Sequence, residues 1–561
     1  FPVWSFAYVR FWLVKLLVRT SPLVMFVGSP LYVLYLRALG ARIGRGVVIF
    51  SGNVPICTDL LTIGDGTVIR KDAVFNGYRA HAGWIQTGAI TLGKDVVVGE
   101  QTVIEIETSM GDGAQLGHAS SLQAAQAVPD GQSWHGSPAQ PTNANFRTVA
   151  PAKCGALRRA AYGTLQLLML LLTAPLGLGV VVVLFLEFPL LAKLLEPGHL
   201  HLATPTFYVE VVAVSLTLFF GGIVTALAFM LTVPRVLNLL VKPGKVYPLY
   251  GFHYVVQRSI SSLTNSQFFV DLFGDSSYIV HYLRALGYDL SLVEQTGTNF
   301  GTELKHETPY LCSIGSGTMV SDGLSIMNAD FSSTSFRVSR VSLGARSFLG
   351  NYVAYPVGGK TGDNCLLATK VMVPLDGEIR ENVGLLGSPC FEIPRSVQRD
   401  TRFDYLKTGD EFRRRLSAKN RHNIATMGIF LLTRWVHFLG ITLLALAAVD
   451  VHHWFGALVV VKFFVSALVF SVAYFVLVER AVAGFRALKP QFCSIYEPYY
   501  WWHERFWKLL MPGLINVFNG TPFKGPIWRV LGSHRGTCRL ARARRDALRD
   551  EAPRRGRSEE R

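Results

Sequence analysis

The chain has 561 residues, half of them hydrophobic and only 17% charged, with a mean hydropathy of +0.31 and a formal charge of +17. That length exceeds a single core and predicts three to five domains, while so few charges exclude a disordered chain and an entirely soluble globule. A basic excess on a charge-poor chain points to an anionic membrane surface before it points to nucleic acid. The seven cysteines are odd in number and form no C-x-x-C pair, which excludes a disulfide scaffold and a zinc ribbon and fits a reducing compartment. The chain opens on Phe1 without signal-peptide anatomy and reads as a piece of something longer.

In chain order, an aromatic and basic stretch, Phe1–Arg19, comes first, so residues 1–40 are expected to be interfacial amphipathic helices in a headgroup layer. Residues 41–145 then repeat every six positions: Leu92, Val98, Ile104, Met110, Leu116, Leu122, Val128 and Trp134, with Gly93, Gly99, Gly111 and Gly117 following their apolar residues. Six fits neither a 3.6-residue helix nor a two-residue strand alternation. It fits a triangular prism in which each hexad gives one short parallel strand, points its aliphatic residue inward and passes a tight corner on a small residue. Residues 160–241 hold a transmembrane hairpin with apolar arms Ala161 to Leu186 and Val211 to Pro234, each longer than the roughly 20 residues that span a bilayer.

The whole pattern then returns. Tyr35-Leu-Arg-Ala-Leu-Gly40 recurs as Tyr282-Leu-Arg-Ala-Leu-Gly287, and Gly28, Gly274 and Gly520 keep the 246-residue interval that also separates Tyr8, Tyr254 and Tyr500. Residues 242–300 are therefore read as the interfacial helices of a second repeat. Residues 301–396 form its prism, offset by 251 from the first and likewise closed by Gly-Ser-Pro, at Gly387–Pro389 as at Gly136–Pro138. A second hairpin is expected at 425–482, with arms Ile429–Val449 and Phe455–Val478, the latter interrupted by Lys462. Residues 489–532 read as the interfacial helices of a third repeat, and 533–561 as a basic tail with ten Arg and five acids. The repeat stops where a third prism is due, which is the expectation of a frame shift or truncation near 533.

Lys153, Arg158 and Arg159 precede the first hairpin and Arg235, Lys242 and Lys245 follow it; Arg413, Arg414, Arg415, Lys419 and Arg421 precede the second and Arg480, Arg486 and Lys489 follow it. Both prisms are thus expected on the cytoplasmic side of a multi-pass cell-membrane protein. The expected partners are the lipid bilayer and a small amino-acid substrate, with no nucleic acid, because no basic groove accompanies the aromatic rings.

The hexads Leu92-Gly-Lys-Asp-Val-Val and Val98-Gly-Glu-Gln-Thr-Val, closed by Trp134-His-Gly-Ser-Pro-Ala139, resemble hexapeptide-repeat acyltransferases. That resemblance implies left-handed parallel β-helix domains, here alternating with transmembrane α-helical hairpins. The alternation, over residues 1 to about 532, resembles the C-terminal membrane region of nonribosomal peptide synthetases of the ε-poly-L-lysine synthetase type. It implies aminoacyl transfer from a carrier thioester to an amino-acid amine. The cofactor implied is a phosphopantetheine-linked aminoacyl thioester, brought by upstream adenylation and carrier domains whose signatures this chain lacks; no cofactor or metal is expected in the chain itself. The resemblance further implies an intramolecular pseudo-trimer of β-helices. An envelope acyltransferase using acyl-CoA and a non-catalytic membrane scaffold are the alternatives.

Acyl transfer to an amine needs a base for its proton and donors for the developing oxyanion. His81 lies in a segment that breaks hexad register and projects from the prism, and His118 lies in a hexad, expected on an exposed face. Both are candidate bases, with Asn76 and Gln86 as candidate donors. His135 stands in the closing Trp-His-Gly-Ser-Pro. At the 251 offset His81 and His118 map onto Ser332 and Thr369, so the second prism is expected to be degenerate, or to use another base such as Asp330.

Overall fold

The computed structural model describes residues 1–3, 5–53, 55–187, 204–290, 298–394, 396–397, 409–485, 491–509 and 518–530. Residues 531–561, and with them the basic tail and the junction near 533, lie outside the described residues, as does most of the connector between the arms of the first hairpin.

The hexads coil into a three-faced prism of parallel strands. One face stacks five strands, from Arg42–Ile43 through Leu61–Ile63, Ile90–Leu92 and Thr108–Met110 to Ala127–Val128. The second runs from Val48–Ile49 through Val68–Ile69, Val97–Val98 and Gln115–Leu116 to Ser133–His135, and an antiparallel strand, Gln140–Thr142, closes it. The third holds Val74–Phe75, Val103–Ile104 and Ser121–Leu122. The six-residue period becomes a vertical register: Ile69, Val98, Leu116 and Trp134 pair in turn, and the first three are fully buried along the prism axis. Burying each such side chain contributes about 1.5–3 kcal/mol, repeated coil after coil. The glycines keep the coils close: a Cβ on Gly99 would come within 2.6 Å of the Gly117 backbone. Asp95, Gln101 and Ala119 take the left-handed conformation in other corner positions.

The second β-helix repeats this from Leu304–His306 to Gly384–Leu386, again closed by an antiparallel strand, Phe391–Ile393. Each β-helix extrudes a hairpin at the corner between its third and first faces: Tyr78–His81 with Trp84–Thr87, and Ala329–Phe331 with Ser335–Val338. The chain preceding each prism pairs with its hairpin in the same way. Val3 N–H donates to Gly83 O (2.7 Å), and Leu249 N–H donates to Thr334 O (2.9 Å).

The chain divides into two compact units. Residues 1–174 with 228–402 hold both β-helices, and residues 175–227 with 403–561 form the other. In the first unit, helix Phe6–Thr20 exposes Phe6, Val9, Leu13 and Leu17 at helical spacing, as an interfacial helix would. The matching segment of the second repeat behaves differently. Tyr247, Tyr250 and Tyr254 are buried with Phe331 and Phe336, and Tyr254 Oη donates to Gly28 O at 2.6 Å, so these rings form core instead of facing headgroups. In the other unit, helix Pro498–Leu509 packs Trp501, Phe506 and Leu509 inward, and its Glu504 pairs with the fully buried Lys419 of helix Gly409–Asp450 at 3.4 Å.

Among the described residues, three helices are long and apolar enough to cross a membrane: Pro205–Asn238, Gly409–Asp450 and Leu458–Val482. The first arm of the first hairpin falls in a further apolar helix, Ala156–Glu187, which carries Pro175 inside it.

Candidate active site at the seam between the two β-helices

The corner between the second and third faces of the first β-helix carries a stacked column of polar side chains. Three consecutive residues there, Arg70, Lys71 and Asp72, each pair with the second β-helix. Arg70 pairs with Asp330 of the hairpin, Lys71 with Glu307, and Asp72 with Lys305 (2.7 Å). Arg70 is fully buried. Its Nη2 donates to Glu100 Oε1 and to Ala329 O, both at 2.8 Å, and its guanidinium lies 5.2 Å from the centre of the Phe331 ring. Asp330 also accepts from Thr148 Oγ1 and from the Phe331 amide.

A buried guanidinium between two carboxylates shifts all of its neighbours. Burial alone pushes the Asp330 carboxyl up, but the Arg70 charge and the Thr148 hydrogen bond outweigh it and hold the group below its usual range. Burial dominates at Glu100, which rises to about 7 although Arg70 opposes it. One coil on, His118 is buried and its Nδ1 accepts from the Glu100 amide at 3.0 Å, so the ring carries its proton on Nε2. Burial first, and the Arg70 charge second, lower it to about 3. The exposed position expected for His118 is therefore corrected: a hexad corner faces solvent only where no second β-helix covers it. Asp330 is likewise a locked carboxylate and not a base.

One further coil on stands His135. Its ring hydrogen-bonds the His118 backbone, and its Nε2 lies 3.2 Å from Ser388 Oγ of the second β-helix. Burial lowers its pKa, so the ring is neutral at ordinary pH. The two Gly-Ser-Pro closures meet here. Ser137 N–H donates to Ser388 O at 2.9 Å, and a Cβ on Gly136, whose φ is +109°, would overlap the Pro389 ring. Beside them a cavity of about 420 Å³ opens, lined by His135, Asn145, Phe146, Asp376, Arg380 and Cys390 among others. Phe146 packs against both His135 and His118, with ring centres 5.6 and 6.1 Å away.

The residues expected from the sequence are not brought together. Asn76 and His81 stand at the corner between the third and first faces, one corner away from His118. His81 is exposed opposite Trp84 on the hairpin, and the Asn76 backbone N–H donates to Ile104 O at 2.8 Å. Gln86 accepts from Arg79 Nε at 2.8 Å on the same hairpin. The residues missed are Arg70, Glu100 and Ser388, together with the central place of His135. A signal existed: Arg70 occupies the corner position where other hexads carry Gly64, Gly93, Gly99 and Gly117, and the two Gly-Ser-Pro closures mark corresponding ends. Among the described residues no three His, Cys, Asp or Glu side chains are grouped to hold a metal ion.

No family model matches the sequence. Over 553 residues, 95% of this chain, the sequence is 24% identical to the delta-poly-L-ornithine synthetase of Acinetobacter baumannii. The relative is a poly-amino-acid synthetase. The chain spans 40% of its length. Among solved structures, a hexapeptide-repeat-containing acetyltransferase from Vibrio cholerae is 16% identical, covering 26% of this chain and 95% of its own with a TM-score of 0.19. An N-acyltransferase from Bacillus cereus, solved with dTDP and 3-hydroxybutyryl-CoA, is 14% identical, covering 20% of this chain and 88% of its own with a TM-score of 0.15.

Proposed function

We propose that this chain is a membrane-bound transferase region of a poly-amino-acid synthetase, forming amide bonds by acyl transfer at the seam between its β-helices. The observation that carries the reading is His135, a neutral imidazole tied to backbone on one side, set against Ser388 on the other, and lining a cavity. It stands in a chain that matches a poly-amino-acid synthetase over nearly its whole length. Such a ring takes the proton of an attacking amine, a role worth typically 10²–10⁴-fold in rate. The donor in this reading is an aminoacyl thioester on a phosphopantetheine arm, loaded by adenylation and carrier domains, and the acceptor is the amine of an amino acid. The apolar helices anchor the region in the bilayer, and the basic residues flanking them favour β-helices on the cytoplasmic side.

The test is amide formation from an aminoacyl N-acetylcysteamine thioester and a free amino acid, using the full chain in nanodiscs. His135→Asn lowers the rate by two orders of magnitude or more, whereas His81→Ala leaves it within a few-fold. A His81 variant as damaged as the His135 variant moves the base to the exposed hairpin.

A further inference from the structure

The two Gly-Ser-Pro closures differ in what their serines touch. In the first, Ser137 Oγ shares a hydrogen bond with Ser121 Oγ of its own β-helix at 2.8 Å. The residue matching Ser121 at the 251 offset is Met372, packed into an apolar cluster with Met327 and Ala354, so Ser388 has no matching hydroxyl partner in its own β-helix. Ser388 Oγ turns instead to His135 Nε2 of the first β-helix, 3.2 Å away, while the other side of that ring is tied to the His118 backbone. A hydroxyl on an imidazole that is oriented from behind is the arrangement that activates a serine nucleophile. It occurs at one seam only, because the position matching His135 in the second β-helix is Leu386. The flanking residues Pro389 and Cys390 line the same cavity as His135.

We propose that Ser388 carries the acyl group between donor and acceptor, a step that rests on the acyl-transfer reading above. Ser388 Oγ attacks the thioester carbonyl and forms the new C–O bond, and its proton passes to His135 Nε2. The C–S bond breaks, and the leaving thiolate takes that proton. The acceptor amine then attacks the seryl ester and gives its proton to His135 Nε2. The C–O bond breaks as the amide forms, and the proton returns to Ser388 Oγ. The donor arm thus departs before the acceptor reacts, so one cavity serves both in turn. The second β-helix, expected to be degenerate because Ser332 and Thr369 stand where the first has His81 and His118, supplies the nucleophile.

The experiment incubates the full chain in nanodiscs with ornithyl N-acetylcysteamine thioester, quenches in acid and maps the acylated peptide by mass spectrometry. The expected result is one ornithyl group on the peptide containing Ser388, lost in Ser388→Ala and in His135→Asn, and discharged by added free ornithine. The wild-type adduct decides the matter without relying on any variant to fold. Amide product that needs His135 but forms with no adduct, at a rate within about twofold of wild type in Ser388→Ala, overturns the acyl-serine and leaves the acyl-transfer reading standing. Neither adduct nor amide in the wild-type chain overturns both.

Discussion

The guanidinium of Arg70 and the carboxylate of Asp330 form a buried ion pair between residues 260 positions apart, one on a corner of the first β-helix and one on the hairpin of the second. The pair fixes which corner meets which hairpin. That orientation sets His118 and His135, two and three coils further along, against the second β-helix.

Removing one member of a buried, hydrogen-bonded charge network leaves its partners uncompensated, at about 3–5 kcal/mol. Arg70→Ala is therefore expected to destabilise the chain by that amount and to loosen the two β-helices from one another. Arg70→Met combined with Glu100→Leu and Asp330→Leu is expected to recover most of the loss, since isosteric apolar replacement of a buried network is often neutral. Denaturant unfolding of the detergent-solubilised variants reads both effects, and an Arg70→Ala variant within 1 kcal/mol of wild type would show that the pair is not structural.

His118 predicts an acid-sensitive seam. Its folded pKa, about 3, lies below the ordinary 6.5, so the stability it contributes is complete above pH 6.5 and is lost as pH falls from there towards 3. Asp330, also depressed, adds to the loss at the acid end of that window. Glu100, raised to about 7, works the other way as pH falls towards its ordinary 4.5. Thermal melts should therefore show a midpoint that falls most steeply below about pH 4.5, and His118→Phe should flatten that slope. An unchanged slope in that variant would assign the acid sensitivity to the carboxylates.

Catalysis should respond in the same direction. A base works only unprotonated, and burial lowers the His135 pKa. The rate at saturating acceptor should therefore hold through mildly acidic pH and fall only below the ordinary imidazole range. A profile that breaks at or above the ordinary imidazole range takes the role of base away from His135.

Gly136 tests the closure itself. With its φ at +109° and Pro389 pressed against its α-carbon, Gly136→Val strains the backbone and separates the two Gly-Ser-Pro segments. The expected loss is about 1–3 kcal/mol of stability, with transfer falling more steeply than stability because Ser388 leaves His135. Parallel unfolding and rate measurements separate the two. A variant that loses stability but keeps its rate removes the closure from the site.

Much of the fold was legible because a six-residue period has few physical solutions. Leu92, Val98 and Leu116 could only point along a common axis, and the apolar runs at 205–238 and 458–482 could only be long buried or lipid-facing helices. The site was much less legible. His81 stood out by breaking register, but projection from a prism says nothing about what meets it. His135 sat in a regular closing motif and drew less weight, because only the docking of the second β-helix gives it Ser388. Tyr247, Tyr250 and Tyr254 look like headgroup anchors from their composition, and only tertiary packing turns them inward. Pairing across 250 residues is not written in any local pattern.

The duplicated hairpins carry a last consequence. At the 251 offset Asp330 answers to Arg79, and buried Phe336 to Ile85, which is followed by exposed polar side chains. In an assembly of identical subunits, each substitution is stamped into every contact at once, so a useful change at one interface must be tolerable at all of them. With its β-helices joined in one polypeptide, this protein escapes that constraint. An acid can be kept where a base sits in the sister copy, and a histidine where the sister has leucine. The two halves are then free to divide labour as gene duplicates do, within one molecule.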